Sequence, residues 1–196
     1  MDLYSLDKQF FIYLNGEHSP ALDRIMYASR DLLLWVPLIL LSVFIFSGYF
    51  KKKLGYRSLT KAVIIGILII CQIILCVAIL PFIFDPLIQR ERPVYDVHIL
   101  QYVNLSSFNY LNKVGFYAPK TCAVAAIAYF FISLSEPPKW LKITLLLWLI
   151  LISYNRIYIG AHYPLNLLIS VLVGIVIGLF AYRCSQFLKT SVLTLD

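Results

Sequence analysis

The stretch AVIIGILIICQIILCVAILPFIF, residues 62–84, runs for 23 positions without a charged side chain. A helix needs about 20 mostly apolar residues to cross the hydrocarbon core of a bilayer, so this stretch is read as membrane-spanning. Pro81 inside it is tolerable because neighbouring helices can satisfy the carbonyl that it frees. Just before it stand Lys51, Lys52, Lys53, Arg57 and Lys61, and before those a second uncharged run, Leu32–Phe50, which contains Pro37. Cations packed between two spans mark a cytoplasmic loop by the positive-inside rule. That placement explains the net charge of +7 better than a nucleic-acid surface does.

Further along, Ala118–Ser135, Trp140–Asn155 and Pro164–Arg183 are apolar runs of spanning or near-spanning length, the fourth span extending toward Arg156. Ahead of all of them, Leu3, Leu6, Phe10, Phe11 and Leu14 recur at helical spacing with Asp2, Asp7 and Lys8 between, the pattern of an amphipathic helix lying in the membrane interface. The expected fold is therefore an all-α membrane protein: five transmembrane helices plus an N-terminal interfacial helix, in one domain over residues 1–196. Composition agrees, with 61% hydrophobic and 14% charged residues, where a soluble domain carries roughly a quarter charged. The opening MDLYSLDKQF lacks the basic region, apolar core and cleavage site of a removable signal peptide, so none is expected. Gly174 and Gly178 form a G-x-x-x-G that points to a close helix contact. Cys71, Cys76, Cys122 and Cys184 lie in or beside apolar runs without metal-ligand spacing; packed thiols are expected, and no metal or cofactor.

With the lysine-rich loop inside, Glu136–Lys139 and the tail after Arg183 are inside as well. The N-terminal segment, the Asp85–Tyr117 connection and the Arg156–Tyr163 turn then face outward. Three polar groups gather on that side: Asp85…Arg90-Glu91-Arg92-Pro93, Lys120, and Asn155-Arg156…His162…Asn166. Ionisable groups at helix ends in lipid are costly, which makes a functional site the default reading. Arg90 taken singly is expected to snorkel to headgroups. His18 and His98 read as solvated or headgroup-facing loop residues, Tyr158 and Tyr163 as interfacial aromatics or residues lining a pocket mouth, and Trp35, Trp140 and Trp148 as belt or packing residues.

The segment from Asn155 to Asn166, NRIYIGAHYPLN, resembles the third motif of the type 2 phosphatidic acid phosphatase superfamily, S-R-x5-H-x3-D. Asp85 to Pro93 resembles its first motif, K-x6-R-P, and LDKQFFIYLNGEHSPALDRIM, residues 6–26, resembles the opening of small bacterial members. The second motif, P-S-G-H, lacks its histidine. Placed without gaps it falls on Tyr117-Ala118-Pro119-Lys120, with Lys120 at the histidine position; aligned on the proline it puts Cys122 there.

The resemblance implies that the lysine and two arginines clamp a phosphate, the third-motif histidine attacks phosphorus, its aspartate orients the imidazole, and the second-motif histidine protonates the leaving oxygen. Here Arg92, Arg156 and His162 are retained. Asp85 stands for the clamping lysine, Asn166 for the orienting carboxylate and Lys120 for the acid. An amide cannot stabilise an imidazolium, and in the serine-protease triad the equivalent Asp→Asn change costs about 10⁴ in rate. A lysine, with a reference pKa of about 10.4, is poorly matched to proton donation near neutrality. Pro164 suits the first turn of a helix whose free N–H groups favour an anion.

The expectation from these substitutions is a catalytically inactive pseudophosphatase in a bacterial inner membrane, its site on the outer face. It would act as a lipid-binding or scaffolding subunit that holds a lipid phosphate headgroup or a membrane protein partner, with no nucleic acid. The alternative is an active membrane lipid phosphate or pyrophosphate phosphatase using His162 as nucleophile and Lys120 as acid. A transporter role finds no support, since neither an intramembrane charge ladder nor an inverted repeat is present. Asp85 and Lys120 reverse the family's charges and are expected to pair; breaking a buried pair on one side costs roughly 3–5 kcal/mol. The swap Asp85→Lys with Lys120→Asp is therefore expected to recover stability that each single change loses, and strictly additive losses in that double-mutant cycle rule the pair out.

Overall fold

The computed structural model describes residues 2–16, 18–26, 59–102 and 112–193. Helix α1 covers Leu3–Asn15, and residues 20–26 are helical. Helix α2 (Leu59–Ile74) passes through a π-helical turn (Leu75–Ile79) into α3 (Leu80–Leu87). Short 3-10 turns follow at Pro93–Tyr95 and Leu100–Tyr102, then α4 (Pro119–Ser135), α5 (Lys139–Tyr158) and α6 (Pro164–Leu193). Among the described residues there is no strand, only one isolated bridge between Glu91 and Val114.

Among the described residues, three helices are long and apolar enough to cross a membrane: Val63–Leu87, Lys139–Tyr158 and Pro164–Leu188. The expected third span is α4, whose 17 residues lie at the short end of the spanning range of about 17–25. The expected first span, Leu32–Phe50, and the lysine-rich loop up to Arg57 lie outside the described residues. The π-helical turn has a local cause. Pro81 offers no N–H and its ring crowds the carbonyl four residues back, so the helix widens just before it.

Helix α4 sits at the centre, buried from Thr121 to Ala128 and again at Phe130 and Phe131. Its alanines let α6 approach along the Gly174 and Gly178 face. A Cβ at Gly174 would lie 2.4 Å from the Cys122 carbonyl oxygen and 2.9 Å from the Ala125 Cβ, and one at Gly178 would lie 2.4 Å from the Ala126 oxygen. The G-x-x-x-G is thus a contact within this chain. It brings the first turns of α4 and α6 side by side, where the Ala118 N–H donates to Ser170 Oγ (2.9 Å) and Ser170 Oγ donates to the Asn166 carbonyl (2.8 Å).

Helix α1 is more deeply engaged than an interfacial helix. Leu3, Leu6, Phe10 and Tyr13 are exposed, but Asp7, Phe11 and Asn15, spaced by four, form a buried stripe against the bundle. Asn15 Nδ2 donates at the end of α5 to the carbonyl of Tyr158 (3.1 Å) and to that of Ile157 (3.0 Å), which also accepts the Gly160 N–H at 2.9 Å. The Phe11 and Tyr163 rings meet edge to face at 5.4 Å.

Because the α4–α6 contact has no room for a side chain, Gly174→Val is expected to lower stability by about 1–3 kcal/mol. The thermal unfolding midpoint in detergent measures this, and an unchanged midpoint would show that the two backbones are not in contact.

Candidate active site

Helix α5 ends in a turn built for its next residues. Gly160 takes φ +67°, a left-handed value that costs other residues energy, and the N–H groups of Ala161 and His162 both fold back onto the Arg156 carbonyl at 2.9 and 3.3 Å. The reversal places His162 between the end of α5 and the Pro164 start of α6. The first-motif segment is laced to the same end of the bundle. The Val94 N–H donates to the Gly160 carbonyl (3.2 Å), the Arg92 N–H to the Lys113 carbonyl (3.0 Å), and the Gly115 N–H to the Arg90 carbonyl (3.1 Å).

Arg92 lies at the junction and is buried. Its Nε donates to the Asn112 carbonyl (3.0 Å) and its Nη1 to the Ala161 carbonyl (3.1 Å), while Nη1 also stands 2.9 Å from His162 Nε2. The guanidinium lies directly on Gly115, where a Cβ would fall 2.1 Å from its Cζ. Burial lowers the Arg92 pKa, and the charges of Asp85 and Tyr95 oppose that shift.

His162 is buried, and desolvation holds its pKa well below the usual imidazole range; the cations of Arg92 and Arg156 push the same way, and the Gly115 carbonyl pulls weakly against them. The ring is therefore neutral at pH 7. A guanidinium N–H can only donate, so Nε2 presents its lone pair to Arg92 and the ring proton is assigned to Nδ1. Nε2 is thus a neutral imidazole nitrogen whose lone pair points at a cation.

The structure thus brings Arg92, Arg156 and His162 together and sets Asp85 within electrostatic reach of Arg92. One Asp85 oxygen accepts the Tyr117 N–H at 3.0 Å, a partner that the sequence does not reveal. Lys120 stands half-buried at the second position of α4. Cys122 is enclosed, its Sγ 3.6 Å from Cys76 Sγ among Leu80, Phe84 and Val173. Asn166 is fully buried but does not hydrogen-bond the imidazole; its Oδ1 accepts Arg90 Nη1 at 2.9 Å and its Nδ2 has no partner among the described residues.

Several expectations need correction. Arg90 does not snorkel: it pairs with Asp7 at 2.6 Å and lies 3.8 Å above the Tyr163 ring. Tyr158 and Tyr163 are buried core residues rather than interfacial aromatics. The His18 side chain is almost fully enclosed, stacked on Tyr158 at 4.0 Å with Nδ1 3.2 Å from Asp23, whereas His98 is exposed as expected. Sequence reasoning also missed a second buried network. Asp96 accepts from Tyr163 Oη and Lys8 Nζ, both at 2.6 Å. Burial raises the Asp96 pKa, but Lys8, Tyr163 and the His98 N–H outweigh it and hold the carboxyl below its ordinary value. For the Arg90–Asp7 pair the available signal was the four-residue spacing of Asp7, Phe11 and Asn15, which puts a charge on the inward face of α1.

Gly115→Ala is expected to expel the Arg92 guanidinium. His162, relieved of a neighbouring cation, should then titrate at higher pH than in the parent protein. Imidazole NMR reads the shift, and an unmoved titration would mean that Gly115 does not hold Arg92 in place.

Comparison with known proteins bears on what this arrangement does. The chain is 30% identical over 173 residues to a lipid A 4'-phosphatase of Bacteroides thetaiotaomicron, covering 88% of this chain and 73% of the relative. It is 25% identical over 188 residues to a lipid A 4'-phosphatase of Porphyromonas gingivalis (96% and 76%), and 26% identical over 188 residues to the undecaprenyl-diphosphatase BcrC of Bacillus subtilis (94% and 86%). The crystal structure of Aquifex aeolicus LpxE shares the fold, with a TM-score of 0.59 at 23% identity over 89% of this chain and 93% of that one. Relatives named as phosphatases along nearly the whole chain overturn the expectation of a catalytically inactive scaffold. The PAP2 superfamily profile matches residues 65–189, more than half of the sequence, and takes in α4, α5, Arg92, Arg156 and His162: this integral membrane protein belongs to the PAP2 superfamily.

Proposed function

We propose that the protein is a membrane-embedded lipid phosphatase that removes a phosphate from a lipid phosphomonoester or diphosphate, with His162 as nucleophile. The observation that carries this reading is the 2.9 Å approach of His162 Nε2 to Arg92 Nη1, with the imidazole held neutral. A phosphate entering between them would replace His162 as the acceptor for Arg92, and Arg156 adds a second cation beside it. The Nε2 lone pair then attacks phosphorus as the bond to the lipid oxygen breaks. Water cleaves the resulting N–P bond, releasing inorganic phosphate and restoring the lone pair. Fixed cations at the phosphoryl group supply the electrostatic stabilisation on which such transfers chiefly depend.

The departing oxygen needs a proton, and Lys120 is the side chain that the gapless second-motif alignment places for that step. A weakly matched acid favours leaving groups that need little protonation, so lipid diphosphates should be hydrolysed faster than alkyl monoesters. The names of the relatives make a lipid A 4'-phosphate and a polyprenyl diphosphate the first substrates to try. We place the protein in a bacterial inner membrane with the site at its outer face, from the positive-inside pattern and the bacterial relatives.

Phosphate release by purified protein from phosphatidic acid, a lipid A 4'-phosphate and a polyprenyl diphosphate tests the reading, with His162→Ala in parallel. Turnover that His162→Ala abolishes is expected, and turnover equal in both samples would sink the assignment. Since the folded His162 pKa lies below the free value of about 6.5, the nucleophile stays neutral as pH falls through that value. The acid limb of kcat/KM, which reports the free enzyme, is accordingly expected below about 6.5.

A further inference from the structure

We infer that Asp7, on the N-terminal helix α1, is a positioning residue for this site: acting through Arg90, it supplies the negative charge that position 166 lacks. The inference rests on the phosphatase reading above. Position 166 is one turn past His162 and carries an amide, buried and facing Arg90 rather than the imidazole. Arg90 Nη1 joins the two sides of a short chain, 2.9 Å from Asn166 Oδ1 and 2.6 Å from Asp7 Oδ2. The guanidinium lies over Tyr163 at 3.8 Å and Tyr4 at 4.8 Å, which fixes its plane. The other Asp7 oxygen accepts the Leu165 N–H at 2.9 Å. That N–H belongs to the first turn of α6, which has no intrahelical acceptor for it and bears the positive end of the helix dipole.

One carboxylate from α1 therefore does three things at once. It caps the helix that begins two residues after His162, neutralises Arg90, and through Arg90 sets the orientation of the Asn166 amide. Neutralising Arg90 matters for the phosphate. An unpaired guanidinium on Asn166 and Tyr163, the residue after His162, would attract the anion away from Arg92 and Arg156. The Asp7 side chain is buried, so its pairing is little screened by water.

Asp7→Asn isolates the charge, because its amide oxygen can still accept from Leu165. The variant is expected to keep KM within about threefold while kcat falls about tenfold or more, as for partners that orient a ligating imidazole. Adding Asn166→Asp returns a carboxylate to Arg90, and the double variant is expected to recover kcat to within about threefold of the parent. A residue that only stabilised the fold would lower the yield or thermal midpoint of folded protein without this split between kcat and KM or this rescue. If Asp7→Asn alone does not fold, Asn166→Asp is compared with the double variant, and the two are expected to agree within about threefold. Full kcat in Asp7→Asn, or a loss that Asn166→Asp fails to restore, overturns the inference alone. A parent protein that releases no phosphate overturns the function and the inference together.

Discussion

A buried guanidinium governs this end of the molecule. Taking Arg92 out of water costs several kcal/mol unless hydrogen bonds and a counter-charge compensate. Its compensating groups come from separate parts of the chain: the Asn112 carbonyl, the Ala161 carbonyl, the His162 ring and the field of Asp85. Gly115 provides the flat surface on which the guanidinium rests. Satisfying one cation thus brings the end of α3, the approach to α4 and the α5–α6 turn to a common point. The small-residue contact between α4 and α6 makes that convergence possible, because two helices with larger side chains would stand too far apart for their first turns to share Ser170.

Around this centre the polarity of α1 runs in the sense that lipid requires. Its large exposed residues, Leu3, Leu6, Phe10 and Tyr13, are apolar or aromatic, while Asp7 and Asn15 are turned inward, where they bond backbone groups at the ends of α5 and α6. With no water in the hydrocarbon core to satisfy such groups, the protein must do so itself. Lys8 extends the same logic to Asp96 and, through it, to Tyr163. An element that looks peripheral in the sequence therefore holds the frame in which His162 sits.

The altered motifs illustrate a hazard of reading residues one position at a time. Asp85, Asn166 and the missing second-motif histidine each remove a recognised chemical part, and together they point to lost catalysis. That inference assumes that every role is filled from its usual position. The relatives named as phosphatases contradict the conclusion, and the geometry shows what the position-wise reading could not include. The imidazole keeps its lone pair on the cation, Asp85 sustains the charge of Arg92, and the amide of Asn166 is engaged by Arg90.

The sequence by itself determined the helical membrane character, the approximate places of the spans at 62–84, Trp140–Asn155 and Pro164–Arg183, and the grouping of Arg92, Arg156 and His162. All of these follow from hydropathy, spacing and motif order, which are local along the chain. It also marked Gly174 and Gly178 as a close contact but not their partner. Only the tertiary structure decided that the partner is α4, that α1 turns Asp7 inward, and that Arg90 pairs with Asp7 and Asn166 rather than facing the lipid. The physical reason is the same in each case. Whether a charge is paired or solvated depends on groups dozens of residues away, and no periodicity within one helix records which neighbour will bury it.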